Sequence, residues 1–417
     1  MRLLFSLVAA LASLPAAAAP LKGIVLWPDQ ARDRPDLSRA VSLEFSYCRP
    51  CDVAVGTNSA GAVVYDWSRF DALLSEMAAR GHQAIIRFRY VYPNEKLGGV
   101  RGATAVPAFI KERTDYHETF SANPGGDGPT WYPDWSCRAL EDFTLAFYAE
   151  FAARYDADPR LAFVQAGFGH WAEYHTSGTE TKLGTNFPSM EFQRRFFALL
   201  GRSFSKTPWM VSIDAAGRDG RRSPAPELAE KGAAFGLFDD SFMCRKHDIS
   251  GGKGGWNERN WAVFGSDHWK SAPHGGEISY YSKGDQRNFL GPEGIYGVTW
   301  AQAAAKYHMT FVIANDSPKG PFATPERFAE AARECGPSLV AAEVRERQGG
   351  VEVTVANKGV APPYHDIAVS VGGLRASGTL KGLLPGESRV LFAVGASPGG
   401  ALQLVSEKLL SPIPLPR

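Results

Sequence analysis

The stretch LAFVQAGFGHWAEYH, residues 161–175, places a buried-strand pattern directly before a polar cluster. Its first eight residues are mostly apolar, which is typical of a parallel strand covered on both faces. Two glycines interrupt the pattern, and Trp171, Glu173 and His175 then follow at alternate positions. In an α/β barrel the loops after the strands build the site, so this order indicates the end of a barrel strand.

Seven further runs of the same kind are separated by helical patterns. Phe70, Leu74 and Met77, for example, mark a helix face that ends at Gly81, and Ser189 is placed to cap another helix. Eight strands with interleaved helices predict a (β/α)₈ TIM-like barrel over residues 20–335. The seven runs are GIVLWP (23–28), VSLEFSY (41–47), QAIIRFRY (83–90), WMVSID (209–214), AAFGLFD (233–239), HGGEISYY (274–281) and MTFVIAN (309–315).

The composition changes after about residue 335. From Leu339 onward the chain reads as short alternating strands separated by hairpin signals, as in AAEVRERQGGVEVTVANKG. This pattern predicts a small all-β sandwich domain over residues 336–417. All ten tryptophans lie at or before Trp300, so we expect this domain to pack rather than to bind sugar.

The first nineteen residues have the pattern of a secretory signal peptide. Arg2 precedes an apolar run from Leu3 to Leu14, and small residues from Ala16 to Ala19 form the cleavage region. The run is too short for a retained membrane span, and no later run of about 18 apolar residues occurs. We therefore expect a signal peptide over residues 1–19 and a periplasmic or secreted protein without a membrane span.

Charge and cysteine content limit the partners. The chain has 45 Lys and Arg against 44 Asp and Glu, so no global field attracts nucleic acid, and we expect a neutral partner.

Five cysteines leave at least one unpaired. Cys48 and Cys51 form a C-x-x-C motif, but no second motif completes a zinc site and no helix marks a redox site. A disulfide is expected instead, either Cys48–Cys51 or Cys137–Cys244.

Glu173 after the fourth predicted strand and Glu277 in the seventh carry the predicted chemistry. Across a barrel mouth, two carboxyl groups supply what glycoside hydrolysis requires: one protonates the leaving oxygen, and the other attacks or activates water. Trp171 and Tyr174 are apolar neighbours of the kind that keep a carboxyl group protonated near neutral pH. We predict a glycosidase-like hydrolase of a poly- or oligosaccharide, with Glu173 as acid/base and Glu277 as its partner.

Five blocks of the sequence resemble, in order, a family of secreted bacterial barrel proteins known as domain of unknown function 4832. The resemblance implies a glycoside-hydrolase-like barrel with a terminal β-sandwich, while the family name leaves the reaction open. The family usually has Gly before the glutamate and Trp after it, where this chain has Ala172 and Tyr174. The blocks are ALLSEMAARGHQAIIRFRY (72–90), DPRLAFVQAGFGHWAEYHTSG (158–178), FGLFDDSFMC (235–244), HGGEISYY (274–281) and YHMTFVIAND (307–316).

Strand alternation predicts which polar residues point into the barrel. In QAIIRFRY, Arg87 and Arg89 share one face, and in VSLEFSY, Glu44 shares a face with two serines. The opposite faces are apolar and suit the helix layer, so we expect these polar side chains inside the barrel. Arg87 then either pairs with Glu44 or keeps Glu277 ionised.

Polar and aromatic residues near the strand ends are predicted to bind the sugar. His175 is expected to bind a hydroxyl, to orient Glu173 or to cap its loop, and indole rings suit stacking on sugar rings. The residues predicted to bind substrate are Arg87, Arg89, Trp171, His175, Asp240, Trp300 and Asn315. Further candidates are Asp239, Asp316, Trp131, Trp135, Trp256, Trp261 and Trp269.

Two alternatives stay open. A cation could be crowded by His170, Glu173 and His175, but the H-E-x-x-H signature is absent and the spacing is irregular, so we predict no metal and no cofactor. The other alternative is a non-catalytic carbohydrate-binding or envelope polysaccharide-assembly protein, which needs no facing acid pair. The sequence does not indicate an oligomeric state.

Overall fold

The structure, a computed structural model, describes residues 20–123, 126–217, 222–245, 247–248 and 255–417. The predicted signal peptide over residues 1–19 lies outside this part of the chain. Within the described part, no helix combines the length and apolar character needed to cross a membrane.

Eight parallel strands form a closed barrel, as predicted. Each strand pairs with its neighbours in sequence, and the last strand closes the barrel by pairing with the first. All eight predicted runs are barrel strands, and six of them end two or three residues earlier than predicted. The strands are β1 (Gly23–Leu26), β2 (Leu43–Cys48), β3 (Gln83–Phe88), β4 (Leu161–Gln165), β5 (Trp209–Ser212), β6 (Gly236–Phe242), β7 (His274–Ile278) and β8 (Met309–Ile313).

Helices cover the outside of the barrel and begin and end where the local sequence directs. The helix after β2 ends just before Gly81, which has φ +83°. Ser189 caps another helix, since its Oγ accepts a hydrogen bond from the Phe192 amide at 3.1 Å. The helices are α1 (Pro28–Asp33), α2 (Pro35–Ser38), α3 (Pro50–Val53), α4 (Ser68–Ala79), α5 (Ala108–Lys111), α6 (Arg138–Tyr155), α7 (Met190–Ser203), α8 (Ala225–Glu230), α9 (Trp256–Val263), α10 (Lys283–Asn288), α11 (Trp300–Tyr307) and α12 (Pro325–Arg333).

The apolar side chains of β2 point into the barrel, and its polar side chains point out. Phe45 belongs to the interior core, whereas Glu44 is buried between β2 and the helix layer. There Glu44 accepts hydrogen bonds from Arg80 at 2.7 and 2.8 Å and contacts His82 Nδ1 at 2.7 Å. The predicted inward orientation of Glu44, and its pairing with Arg87, are therefore wrong.

The C-terminal part is a small β-sandwich of two antiparallel sheets. One sheet has the order β9–β10–β13, and the other has the order β12–β11–β14–β15. Alternate apolar residues of the two sheets fill the space between them. The strands are β9 (Leu339–Arg347), β10 (Gly350–Asn357), β11 (Ala368–Val371), β12 (Leu374–Arg375), β13 (Ser388–Val394), β14 (Leu402–Val405) and β15 (Ile413–Pro414).

The sandwich closes the end of the barrel at which the strands begin. Its core is continuous with the apolar layer inside the barrel. His365 contacts the Ala162 carbonyl at 2.9 Å, and Gln83 donates to the Lys408 carbonyl at 2.6 Å. With this end sealed by the second domain, the opposite end, at which the strands finish, is the open one.

The cysteines do not form the expected disulfide. All five are free: Cys48 and Cys51 are half-buried, and the other three are buried. Burial raises the pKa of the Cys48 thiol to about 12 and that of Cys51 to about 11, so both thiols are protonated at neutral pH. Both disulfide hypotheses are therefore wrong for this structure.

Lys408 is a buried link between the sandwich and the barrel. It is 1% exposed, and its Nζ donates to the carbonyls of Asp156 and Asp158 at 3.0 and 2.6 Å and to Thr207 Oγ1 at 2.7 Å. Burial lowers the pKa of Lys408 to about 8, so the ammonium is still largely charged at neutral pH.

We expect Lys408→Met to lower the free energy of unfolding by about 2 to 4 kcal/mol, because it leaves buried acceptors without a donor. Urea denaturation would measure the loss. The matched control is Lys206→Met, which removes only an exposed ion pair with Glu407 and should leave stability nearly unchanged. Equal effects of the two substitutions would contradict the role of Lys408.

Candidate active site

Each barrel strand contributes one residue, within the strand or one or two positions after its end, to a layer at the open end. In each strand this residue lies two positions after an inward-facing residue, so alternation places it on the same inner face. Below the layer the interior is apolar, and in the layer it becomes polar and aromatic. The layer consists of Trp27, Tyr47, Arg87, Gln165, Ser212, Asp240, Glu277 and Asn315.

Arg87 is fully buried at the centre of this layer, as its predicted inward orientation requires. Its guanidinium donates to Gln165 Oε1 at 2.8 Å from Nε and to Asp240 Oδ1 at 2.8 Å from Nη2. The same group lies over the Phe238 ring, 4.2 Å from the centroid. Arg87 therefore joins β3 to β4 and β6 through one buried charge.

The loop after β4 folds back on itself and brings Glu173 over the layer. The Gly169 amide donates to the Glu173 carbonyl and the His170 amide to the His175 carbonyl, both at 2.9 Å. This turn leaves no room for side chains at its two glycines. A Cβ at Gly167 would overlap the Ala172 carbonyl oxygen, and one at Gly169 would overlap that of His175. Gly167 and Gly169 are thus required for the turn that positions Glu173.

Two residues directly before Glu173 have left-handed backbone conformations. Trp171 has φ 55° and Ala172 has φ 59°, which cost about 1 to 2 kcal/mol each for residues other than glycine. Arg87 Nη1 donates to the Trp171 carbonyl at 3.2 Å and so holds this strained turn from below. Such strain persists only where surrounding contacts fix it, and it is common at functional sites.

Glu173 is a buried carboxyl group among other carboxyl groups. It is 8% exposed. Burial raises the pKa of Glu173 well above its usual value, and the negative charges of Asp240 and Asp214 raise it further, while Arg87 opposes them. The surroundings of Glu173 therefore favour its protonated form.

Glu277 lies in the same electrostatic cluster and carries a fixed hydrogen-bond partner. It is 9% exposed, and Asn315 donates to its Oε1 at 3.0 Å. Burial and the charge of Asp240 raise the pKa of Glu277 to about 7, against the lowering effect of Arg87 and Asn315. The negative charge of Glu277 in turn raises the pKa of Glu173. The structure thus brings the two predicted carboxyl groups into one interacting site.

Asp214 belongs to the site, although it was absent from the predicted residues. It follows β5 in a short 3₁₀ helix, and its Oδ2 accepts from His175 Nδ1 at 3.0 Å. The same nitrogen lies 3.5 Å from Glu173 Oε2. Burial opposes ionisation, but the hydrogen bond from His175 lowers the pKa of Asp214 below its usual value. His175 therefore lies between Asp214, whose pKa is lowered, and Glu173, whose pKa is raised.

A cavity opens beside Glu173, and two tyrosines form its outer wall. Tyr280 and Tyr281 are 47% and 52% exposed, and their rings stack with centroids 4.9 Å apart. Burial and the charge of Glu173 raise the pKa of Tyr280, which reflects their proximity. Trp256 also lines the cavity. Exposed stacked rings at a cavity rim are suited to contact with the apolar face of a sugar.

Arg89 supports the site from behind instead of facing the cavity beside Glu173. It is buried, and its guanidinium lies between the rings of Tyr47 and Tyr92, 3.8 Å from each centroid, and 4.3 Å from that of Trp171. Trp171 is half-buried and donates from its indole to Asp127 Oδ2 at 3.3 Å. Arg89 thus holds the ring of Trp171 at the barrel mouth.

Trp300 cannot stack on a sugar, so its predicted role is wrong. It begins α11, is fully buried in the helix layer and donates from its indole to the Ala331 carbonyl at 2.9 Å. Trp135 and Trp261 are also buried in the outer core. Asp239 alternates with Asp240 on β6 and points outward, where Asn257 donates to it at 3.0 Å.

Among the described residues, one group of side chains has a geometry that could hold a cation, but it is not the predicted group. Glu173, His175 and Asp214 each bring one donor atom within 4.8 Å of the others. His170 is turned away, with its Nε2 2.6 Å from Asp127 Oδ2. The hydrogen bond between His175 and Asp214 already gives two of the three side chains a partner. The cluster is therefore also explained as a hydrogen-bonded pair that lies beside the carboxyl group of Glu173.

Comparisons with known proteins do not assign the chain to a family. No family model matches the chain, and no curated protein matches it. Similar solved structures include endo-glycoceramidase II from Rhodococcus sp., with 12% identity over 92% of this chain and 96% of that chain and a TM-score of 0.43. Exo-beta-1,4-mannosidase Op5Man5 from Opitutaceae bacterium strain TAV5 has 11% identity over 75% and 55%, with a TM-score of 0.40. Xylanase B from Clostridium stercorarium F9 has 12% identity over 70% and 85%, with a TM-score of 0.38.

The close backbone contact at Gly167 gives a test of the turn that presents Glu173. We expect Gly167→Ala to destabilise the protein by about 2 to 3 kcal/mol, because the added methyl group overlaps a backbone oxygen. Gly201→Ala is the matched control: it lies in α7, with no atom within 4 Å of the added carbon, and should stabilise by about 0.5 to 1 kcal/mol. Chemical denaturation of both variants measures the difference. Two stable variants would show that the turn is not constrained.

Proposed function

We propose that this protein is a glycoside hydrolase in which Glu173 is the general acid/base and Glu277 the nucleophile or general base. The observation that carries the proposal is the convergence of two buried carboxyl groups, both with raised pKa values, on one site at the open end of the barrel. In glycoside hydrolysis one such group gives a proton to the leaving oxygen, and the other acts at the anomeric carbon or on water.

The surroundings of the two groups support different protonation states. Glu173 lies beside Asp214 and Asp240, whose charges favour its protonated form. Glu277 accepts from Asn315 and is under the influence of Arg87, which both favour its ionised form. Two carboxyl groups whose environments separate their protonation in this way match the requirement for an acid and a base in one site.

The reaction then balances with these side chains and one water molecule. Glu173 transfers its proton to the glycosidic oxygen as the bond from that oxygen to the anomeric carbon breaks. The leaving part of the glycan is thereby released with a free hydroxyl group. Glu277 attacks the anomeric carbon or removes a proton from the attacking water, and the second product leaves with the hydroxyl group of that water. Tyr280, Tyr281 and Trp171 are placed to contact the sugar rings.

The energetic cost of the site argues against a purely binding role. Buried carboxyl groups destabilise a fold unless paired. The described part of this site holds three of them, Glu173, Asp240 and Glu277, and of the three Asp240 alone forms an ion pair with Arg87. A carbohydrate-binding protein would need only the aromatic walls. We also propose, from the sequence pattern alone, that the protein is exported, and that it is related to domain of unknown function 4832.

We expect Glu173→Gln and Glu277→Gln to lower the rate of glycan hydrolysis by roughly 100- to 10,000-fold while glycan binding is retained. Release of reducing ends from a panel of bacterial polysaccharides measures the rate, and calorimetry with the same glycans measures binding. Glu180→Gln, an exposed change on the loop after Glu173, is the control and should retain full activity. Binding without cleavage by the unaltered protein would favour the carbohydrate-binding alternative.

The pH dependence of the rate should follow the two carboxyl groups. Activity requires ionised Glu277, so it should rise as the pH increases through about 7, and it requires protonated Glu173, so it should fall at higher pH. Asp240→Asn removes a charge that raises both pKa values and should move both limbs of the profile to lower pH. Asp214→Asn should move chiefly the alkaline limb, because Asp214 acts on Glu173.

Initial rates from pH 4 to 10 would give these profiles. Asp52→Asn, which removes a half-exposed carboxyl group after β2, is the control and should leave both limbs in place. A profile that moves in neither Asp240→Asn nor Asp214→Asn would contradict the assignment of the two roles.

A further inference from the structure

We propose that the substrate is an acidic glycan and that a second cavity at the barrel mouth binds the negatively charged group of one of its sugar units. This inference rests on the proposed function and specifies its substrate class. The cavity has a volume of about 320 Å³ and lies between the loops after β2 and β3 and the N-terminal half of α4.

This arginine-lined cavity lies next to the proposed catalytic site. Tyr47, a member of the polar layer, forms part of its wall, and so does Arg89, whose guanidinium lies 4.3 Å from the ring centroid of Trp171. Trp171 precedes Glu173 by two residues. The barrel order places β3 opposite β7, which is followed by Tyr280. A glycan that crosses the mouth from Tyr280 therefore passes the catalytic groups and reaches this cavity.

Arg89 is a buried wall residue whose guanidinium is only partly hydrogen-bonded. It is 3% exposed, and its Nη2 donates to Glu95 Oε1 at 2.8 Å. The Tyr92 hydroxyl also interacts with the guanidinium, yet Nε and Nη1 have no hydrogen-bond partner among the described residues. Buried donors of a charged group are costly to leave without an acceptor. Arg89 therefore indicates a ligand that carries acceptor oxygens.

The cavity wall has one more positive than negative side chain. Glu95 is shared by two arginines, since it accepts from Arg89 and its Oε2 lies 3.5 Å from Arg49. Arg49 is also 4.0 Å from Asp52. The charged residues of the lining are Arg49, Arg69, Arg89, Asp52 and Glu95.

Arg69 carries the charge that the two carboxylates of the wall leave unpaired. It is exposed and forms no ion pair with a described residue, although the charge of Asp66 acts on it at longer range. An excess of one positive charge suits a singly charged group, such as the carboxylate of a uronic acid or a sulfate ester, better than a doubly charged phosphate. The balance of charge over the whole chain predicts a neutral partner, but this local excess is sufficient to select a charged substituent.

The test measures binding of hexasaccharides to the full-length protein with Glu173→Gln, which should bind without cleavage. The acidic probes are the β-1,4-linked hexamers of glucuronic acid, mannuronic acid and 6-sulfated glucose, and the neutral probes are those of glucose and mannose. We expect at least one acidic hexamer to bind roughly 10-fold more tightly in calorimetry than the neutral hexamer of the same configuration. Its affinity should fall as salt is added. The tighter of the acidic probes identifies carboxylate or sulfate as the bound group.

A second comparison locates the preference for charge. Adding Arg89→Met should remove the preference, and adding Arg69→Gln, a surface change that spares the packing around Arg89, should reduce it by roughly 3-fold or more. The matched control is Arg202→Gln, which alters an exposed arginine of α7 and should leave the preference intact. Unchanged affinity for the neutral hexamers would show that each variant is folded.

Each other result has a distinct meaning. Binding or cleavage confined to neutral glycans would overturn the acidic substrate while the proposed function stands. A preference for charge that survives both Arg69→Gln and Arg89→Met would overturn the assignment of the cavity. Binding of an acidic hexamer that the unaltered protein does not cleave would support the cavity and refute the proposed function. Failure of all hexamers and of the wider polysaccharide panel would remove both.

Discussion

The buried guanidinium of Arg87 is the interaction on which the whole mouth of the barrel depends. It lies below the strained turn at Trp171 and beside Asp240, and it links three strands through Gln165, Asp240 and a backbone carbonyl. Removing a guanidinium from water costs several kcal/mol, which only well-placed acceptors offset. Because those acceptors come from different strands, the position of Glu173 above them is fixed by the closed sheet itself.

The barrel separates its stabilising and its chemical parts along its axis. Apolar residues such as Phe163 and Phe311 fill the lower interior and continue into the sandwich core, where no carboxyl group of the mouth reaches. The upper layer concentrates charge in a small volume and lowers stability. The two regions meet within two residues on each strand. The apolar lower interior therefore lies directly beneath the polar layer and offsets the stability that this layer loses.

Much of the fold could be predicted from sequence, but only part of the site could. Buried parallel strands leave an unmistakable apolar run, whereas alternation alone cannot say which face turns inward, and Glu44 was misplaced because the sandwich makes the lower interior apolar. Glu173, Glu277 and Asp240 were found because they lie near strand ends. Asp214 and Tyr280 were overlooked because the predicted strands ran too long and included them. Trp300 was misassigned because a buried indole and a sugar-stacking indole look alike in sequence.

The link made by Lys408 bears on the order in which the chain becomes structured. Its partners at Asp156 and Asp158 precede it by about 250 residues, so the contact joins distant parts of the chain. Contacts of such long range form late, because the entropy of closing a large loop opposes them until neighbouring contacts exist. During synthesis the barrel strands are therefore made well before the C-terminal sandwich can cover the end of the barrel at which they begin. Over that interval the apolar residues of the lower barrel interior stay accessible to solvent. The sandwich is therefore the element that finally buries them.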